Sequence, residues 1–334
     1  MANLYVYEQG TTLDFKDKNL VAITLNERII PTDKLERIVV FGDIKITTIC
    51  IQELLKMGIP ITFLSKKGEY FGSLEATNHV DIKKQRLQFQ KSADKDFCLE
   101  LSKILIRGKI NNQRAFLFKE NKIAKEPLAA ISAVRIKGFV KKVNIAKNIE
   151  ELNEIIKEMD KLYFTGLSSF LGKEYNFTER VKMPPKDPFN SILSFGYTLL
   201  LYEIQNLLNS KGLNAYAGFF TSDKLNMPAL CADLMEEWRS ILVDSLAFKL
   251  LYIKKLTLND FETNEETGAV LLKKEATFAF IEEFEKLLRS ESGKIIGNSR
   301  KISYRKAIEY QITLLIKAIE NDSPKDYVPF EIDK

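Results

Sequence analysis

The spacing of apolar residues changes once along this chain, near residue 80, and that change limits the folds open to it. Before it, short apolar runs rich in Val, Ile, Thr, Tyr and Phe alternate with turn residues; after it, apolar positions recur at helical spacing. "NLYVYEQG", "NLVAITLN", "ERIVVFG", "IPITFLSKKG" and "EYFGSLEAT" each read as a strand. Among them "TTICIQELLKMG" reads as a helix, with Ile51, Leu54 and Leu55 on its apolar side and Gly58 as its stop. The expected class is α+β: a small β-rich N-terminal domain over 1–76, a linker over 77–84, a large all-α domain over 85–322 and a polar tail over 323–334.

Within the helical part, Leu152, Ile155, Ile156, Met159, Leu162, Tyr163, Leu167 and Phe170 make one continuous stripe. "RVKMPPKDPFN" is a proline-broken loop, because paired prolines remove donors and exclude a helix. "SILSFGYTLLLYEIQNLLNSKG" follows as a long buried helix capped at Gly212. A further helix starts near Met227–Pro228. Its apolar side is Leu234, Trp238, Ile241, Leu242 and Phe248, and its polar side is Asp233, Glu236, Glu237, Ser240 and Asp244. Asp233 and Glu236 are three apart and share a face, so they can converge on one ion. A solvated polar face with acids near a helix N-terminus accounts for them equally well.

Composition removes other options. No window approaches the ~20 apolar residues that span a bilayer, and "MANLYVYEQG" lacks the pattern of a secretory signal, so no membrane association is expected. Cys50, Cys98 and Cys231 are far apart and odd in number, which suits buried thiols in a reducing cytoplasm. The single histidine, His79, sits in the expected linker and reads as structural, which excludes a His-rich zinc site or a serine or cysteine triad. Fifty Lys and Arg against 45 Asp and Glu give +5, which neither demands nor excludes nucleic acid.

"RGKINNQRAFL", "LYFTGLSSFLG", "RVKMPPKDPFNSILSFGYTLL", "GLNAYAGFF", "ADLMEEWRSILVD" and "IEYQITLLIKAI…YVPF" occur in that order. Together they resemble the CRISPR-associated adaptation integrase and endonuclease, Cas-one. "LYVYEQGTTL…IPTDKLERIVVFGDIKITT…LLKMGIPITFLSKKGEYFG" fits the β domain of the same family. The resemblance implies a homodimer formed through the N-terminal domain, double-stranded DNA as substrate, and a small ferredoxin-like partner, Cas-two. It implies transesterification or hydrolysis of phosphodiesters assisted by magnesium or manganese, which activates the nucleophile and neutralises charge on the phosphate. The implied ligands are a glutamate, a histidine and a second acid from three segments of the helical domain.

Only the second acid matches, at Glu236. The implied glutamate falls on Ile156 and the implied histidine on Thr221, and an isoleucine cannot ligate a cation. Asp160, one turn beyond Ile156, and Asp223, two residues past Thr221, could join Asp233 and Glu236 in an oxygen-only site. Against this, one helical turn displaces a ligand by ~5.4 Å, far more than a ~2.1 Å bond absorbs. Glu154 and Glu158 each lie about 200° around the helix from Ile156. The expected protein therefore binds DNA with metal-dependent catalysis lost or reduced. An active nuclease with unorthodox ligands and a protein-only scaffold are the alternatives. Phosphate contacts are expected from Arg180, Lys182 and Arg239, then from Lys109, Arg114, Lys137, Lys141 and Lys142. Tyr163, Tyr197 and Tyr216 read either as core or as stacking platforms for a splayed base.

Overall fold

The computed structural model describes residues 2–33, 35–66, 68, 70–76, 80–222, 227–291 and 302–332, so His79 and Asp223 lie outside the described residues. The chain forms two compact units, Met1–His79 and Val80–Lys334.

The first unit contains strands β1 (Ala2–Val6), β2 (Thr12–Lys16), β3 (Asn19–Ile23), β4 (Glu27–Ile30), β5 (Leu35–Phe41) and β6 (Lys45–Ile46), helix α1 (Thr48–Lys56), and strands β7 (Ile61–Leu64) and β8 (Tyr70–Leu74). They make two four-stranded sheets, ordered β1-β5-β7-β8 and β4-β3-β2-β6. Leu13, Leu20, Ile38, Val40, Cys50, Leu54 and Ile61 form the core of this unit. Helix α1 matches the expected one: the Thr47 hydroxyl accepts from the Cys50 amide at 3.2 Å, and Gly58 adopts φ +72° after the last turn. Strands β2, β4 and β6 were not expected from apolar runs. In β2 only Leu13 and Phe15 are apolar, alternating with Thr12, Asp14 and Lys16, and its hairpin to β3 turns through Asp17 and Lys18, both at positive φ.

The second unit contains α2 (Ile82–Ser92), α3 (Lys95–Ala124), α4 (Pro127–Ile145), α5 (Ile149–Ser168), α6 (Pro188–Ser210), α7 (Ala229–Trp238), α8 (Ser245–Tyr252), a ribbon of β9 (Phe261–Thr263) and β10 (Val270–Leu272), α9 (Lys274–Arg289) and α10 (Tyr304–Glu320). Three expectations change here. Residues 81–84 are not linker, because the Asp81 carboxylate accepts from the Lys84 amide at 3.0 Å and starts α2. The β9–β10 ribbon interrupts an otherwise helical unit, where "EETG" turns two runs too short to show a period. The segment 323–332 is not a solvated tail: Tyr327 and Phe330 are each only 1% exposed.

Helix α3 runs through the middle of this unit and packs against α4, α5 and α7. The stripe expected on α5 is present, with Leu152, Ile156, Met159, Tyr163 and Leu167 buried. Asp187 caps α6 by accepting from the Asn190 amide at 2.8 Å, and Pro188 occupies the first turn, where no amide donor is needed. Arg305 of α10 joins α6 to α9: its guanidinium meets Glu203 at 2.6 Å and Glu285 at 2.7 Å, all three side chains buried.

Candidate functional site

Helix α7 continues through a π-helical stretch, Arg239–Asp244, into α8. Its expected polar side is not solvated. Asp233, Glu237, Ser240 and Asp244 are each no more than 1% exposed and Glu236 is 8% exposed. Packing against α3 and α6 buries both faces, so every carboxylate on it needs partners inside the protein.

Each acid is met differently. Asp233 accepts three backbone amides from the preceding turn, Phe219 at 2.7 Å, Phe220 at 3.0 Å and Thr221 at 2.7 Å. Gly218 permits that approach, since a β-carbon there would lie 2.9 Å from both Asp233 Oδ2 and the Ala229 β-carbon. The Asp233 oxygens are thus committed to shaping the turn that holds Thr221. Asp244, displaced by the π-helical turn, accepts from Tyr163 at 2.8 Å and Tyr197 at 2.7 Å, and burial pushes its carboxyl up to about 6. These two tyrosines are occupied as donors to Asp244, whereas Tyr216 is exposed.

Glu237 accepts from the Tyr327 hydroxyl at 2.7 Å and the Phe330 amide at 2.9 Å. Gly108 makes room for this, because a β-carbon there would meet Pro329 at 2.6 Å and Glu237 Cγ at 3.3 Å. Burial raises the Glu237 carboxyl from 4.5 to about 8. A carboxyl raised on folding contributes stability that is full below pH 4.5 and declines as pH climbs to about 8. Glu237→Gln keeps an acceptor and removes the ionisation. The variant is therefore expected to gain about 2–4 kcal/mol on the parent between pH 5 and pH 8. Urea unfolding at the two pH values checks this, and an unchanged difference would show that Glu237 is not buried as described.

Glu236 lies at the centre of an ion-pair network. Its Oε2 is 2.7 Å from Lys109 Nζ and its Oε1 is 2.8 Å from Arg239 Nη1. Lys109 Nζ also meets Asp160 Oδ2 at 2.8 Å, and Gln113 donates to Asp160 Oδ1 at 3.1 Å. Burial would raise the Glu236 carboxyl, but Arg239, then Lys109 and Lys182, hold it down at about 2. Burial likewise opposes the Lys109 charge, and Asp160 and Glu236 outweigh it, so the ammonium stays protonated.

These contacts place the remaining site residues. Ile156 is buried on α5, one turn before Asp160. Glu154 and Glu158 lie on the exposed side, paired with Lys157 at 2.6 Å and Lys142 at 2.8 Å. Arg180 is folded inward, donating to Asn190 at 2.8 Å and Ser194 at 2.9 Å, and both Arg180 and Arg239 rest on the Tyr197 ring at 5.3 and 5.2 Å. Lys182 is exposed beside them, its ammonium lowered by partial desolvation and then by Arg239. Lys109 is 2% exposed and belongs to the network rather than to a surface. Arg114 lies over Phe118 of its own helix. Lys137 and Lys141 are exposed on α4, as is Lys142.

Sequence reasoning missed the partnership of Lys109 with Asp160 and Glu236. The available signal was "KINNQ": Lys109, Asn112 and Gln113 sit three and four apart on an otherwise apolar helix, which requires buried polar partners. A divalent metal does not fit the side chains now present. Ile156 offers hydrocarbon, Thr221 hangs from the Asp233 turn, and Glu236 is held by two cations. Among the described residues no group of three or more His, Cys, Asp and Glu side chains is placed to hold a metal ion.

A family model described as CRISPR associated protein Cas1 matches residues 4–286. The chain is 30% identical to a CRISPR-associated endonuclease Cas1 of Mycobacterium tuberculosis, over 99% of this chain and 98% of that one. It is also 30% identical to a CRISPR-associated endonuclease Cas1 of Thermus thermophilus, over 98% and 94%. Among solved structures, a Cas1 protein from Thermotoga maritima matches with a TM-score of 0.82 at 22% identity, covering 96% of this chain and 97% of that one. A casposase bound to integration product matches with a TM-score of 0.85 at 20% identity, covering 97% and 92%. The structural likenesses establish the fold, and the family match and the curated relatives establish the lineage. This chain belongs to the Cas1 family.

Proposed function

We propose that this chain is a DNA-binding subunit of CRISPR spacer acquisition that does not itself cut or join DNA. The observation that carries this reading is the Lys109 ammonium bridging Asp160 and Glu236, with Ile156 and Thr221 standing where the family resemblance implies metal ligands. Phosphoryl transfer of the family kind needs a cation free to hold substrate oxygens, and this network leaves none. Affinity for DNA does not need that metal, because it comes from basic groups distributed over a surface. Lys182 is exposed beside Arg180 and Arg239, and the exposed lysines of α4 extend the basic character. The reading includes a homodimer formed through the N-terminal unit, duplex DNA ends as ligand, the small ferredoxin-like partner Cas2, and action in the cytoplasm. One structural neighbour is a Cas6-RT-Cas1–Cas2 complex, which supports the Cas2 partnership as a family property. Among the described residues no helix is long and apolar enough to cross a membrane.

Two assays on the purified chain test the reading. A gel shift with duplex DNA is expected at low salt. Lys182→Ala should weaken it several-fold and lower the salt slope by about one counterion without changing Tm, since this side chain is exposed. Arg180 is a poorer probe, because its loss also breaks contacts to Asn190 and Ser194. Strand transfer from a labelled 3′-hydroxyl oligonucleotide with manganese is expected at background. Turnover abolished by Glu236→Gln would establish an active nuclease instead, and no shift at any salt would establish a protein-only scaffold.

A further inference from the structure

We infer that the Lys109 side chain takes the place of a divalent cation in this site, bridging carboxylates from α5 and α7 that would otherwise need a metal ion. The inference rests on the proposed silent site and goes further, since it names what replaced the metal. Three helices supply the bridge: Lys109 from α3, Asp160 from α5 and Glu236 from α7. One nitrogen lies 2.8 Å from Asp160 Oδ2 and 2.7 Å from Glu236 Oε2. Each carboxylate has its second oxygen engaged by another donor, Gln113 at 3.1 Å and Arg239 at 2.8 Å. All four oxygens thus face protein donors, Glu236 Oε2 through its 2.7 Å charge contact with Lys109 alone, without hydrogen-bond alignment.

Charge makes the exchange self-consistent. A buried carboxylate (Glu236) brought against a half-buried one (Asp160, side chain 30% exposed) repels it without a counter-ion, and such a pair is held either by a metal or by side-chain cations. Here Lys109 and Arg239 balance Asp160 and Glu236, so an added divalent ion would leave an excess of buried positive charge. Its ~2.1 Å bonds to oxygen would also require the ammonium to leave a position from which it has no exposed route, its side chain being 3% exposed. Asp160 acquires a role in this arrangement: it is the second anchor of the lysine.

The test is a manganese titration followed by the electron paramagnetic resonance signal of free Mn2+, at neutral pH without DNA. The parent is expected to bind no ion through Glu236. Lys109→Ala should create a site for one Mn2+ per chain at least tenfold tighter than anything in the parent, and adding Glu236→Gln should abolish that gain. Lys109→Arg keeps the charge and should behave as the parent. A folded Lys109→Ala protein with no gain would overturn the inference, as would parent binding that Glu236→Gln removes. If the alanine variant does not fold, Lys109→Met fills the same volume without the charge and carries the same expectation. If neither folds, the parent titration decides: one ion lost on Glu236→Gln overturns the inference, and none bound upholds it. Gel shifts of the parent separate the two readings, since DNA binding without a manganese gain defeats only this inference. A manganese gain without DNA binding defeats only the DNA reading.

Discussion

Deleting residues 323–334 is expected to leave the helical unit without a stable native state at 37 °C. The deletion removes Tyr327 and Phe330, each buried, with Phe330 stacked on Trp238 at 4.5 Å and set edge-on to Tyr304 at 6.3 Å. Burial of an aromatic ring of this size contributes roughly 1.5–3 kcal/mol, and the vacated space adds a cavity cost under the chain's only tryptophan. Glu237 would lose both of its donors in a buried position, at roughly 1–3 kcal/mol for each group left unsatisfied. Asn112 would lose the Phe330 carbonyl at 2.7 Å and the Ile332 amide at 3.0 Å, which tie this segment to α3. The total approaches the roughly 5–15 kcal/mol by which a domain is stable. Urea unfolding of the parent, the deletion and Phe330→Ala should show a graded series. Phe330→Ala is expected to lose about 3–5 kcal/mol. A deletion that still melts cooperatively within a few degrees of the parent would refute the docking of this segment.

The misreading of that segment shows where sequence patterns stop. "NDSPKDYVPFEIDK" is mostly polar, and its two aromatics carry no period from which burial could be inferred. They are buried because Trp238 and Glu237 present a matching stacked face and acceptor, and that partner surface lies some 90 residues away. The same limit governs the site. The stripe on α5 was legible, because a continuous apolar face reports its own burial, and Ile156 falls within it. Helix α7 was only half legible. Its alternation of Leu234 and Trp238 with Asp233 and Glu236 suggested one wet side, yet α3 and α6 cover both. A carboxylate that is paired inside the protein looks, in one sequence, like a carboxylate in water. Which it is depends on Lys109, more than a hundred residues earlier. In the N-terminal unit, β5 and β7 were read from apolar runs, while β2 was missed because a half-buried strand carries charges on its outer face.

At neutral pH Glu236→Gln is expected to cost about 3–5 kcal/mol of stability and, under the proposed silent site, to leave strand transfer at the same background as the parent. The substitution leaves Lys109 and Arg239 facing a neutral amide, with Asp160, and Asp244 near Arg239, left to balance two largely buried cations. The pH dependence gives the effect a signature that packing damage would not share. Glu236 is held at about 2 in the folded protein against 4.5 ordinarily, so its contribution is fully present above pH 4.5 and is lost as pH falls through about 2. The gap between parent and variant should therefore be constant from pH 5 to 7 and close by about 3 kcal/mol as pH falls toward 2. Chemical unfolding across that range reads it directly. A carboxylate kept for metal catalysis would behave in the opposite sense. Neutralising it would relieve repulsion in the metal-free protein, leave stability level or higher, and abolish turnover. Stability and turnover measured together on this one variant therefore separate a carboxylate that anchors a lysine from one that waits for an ion.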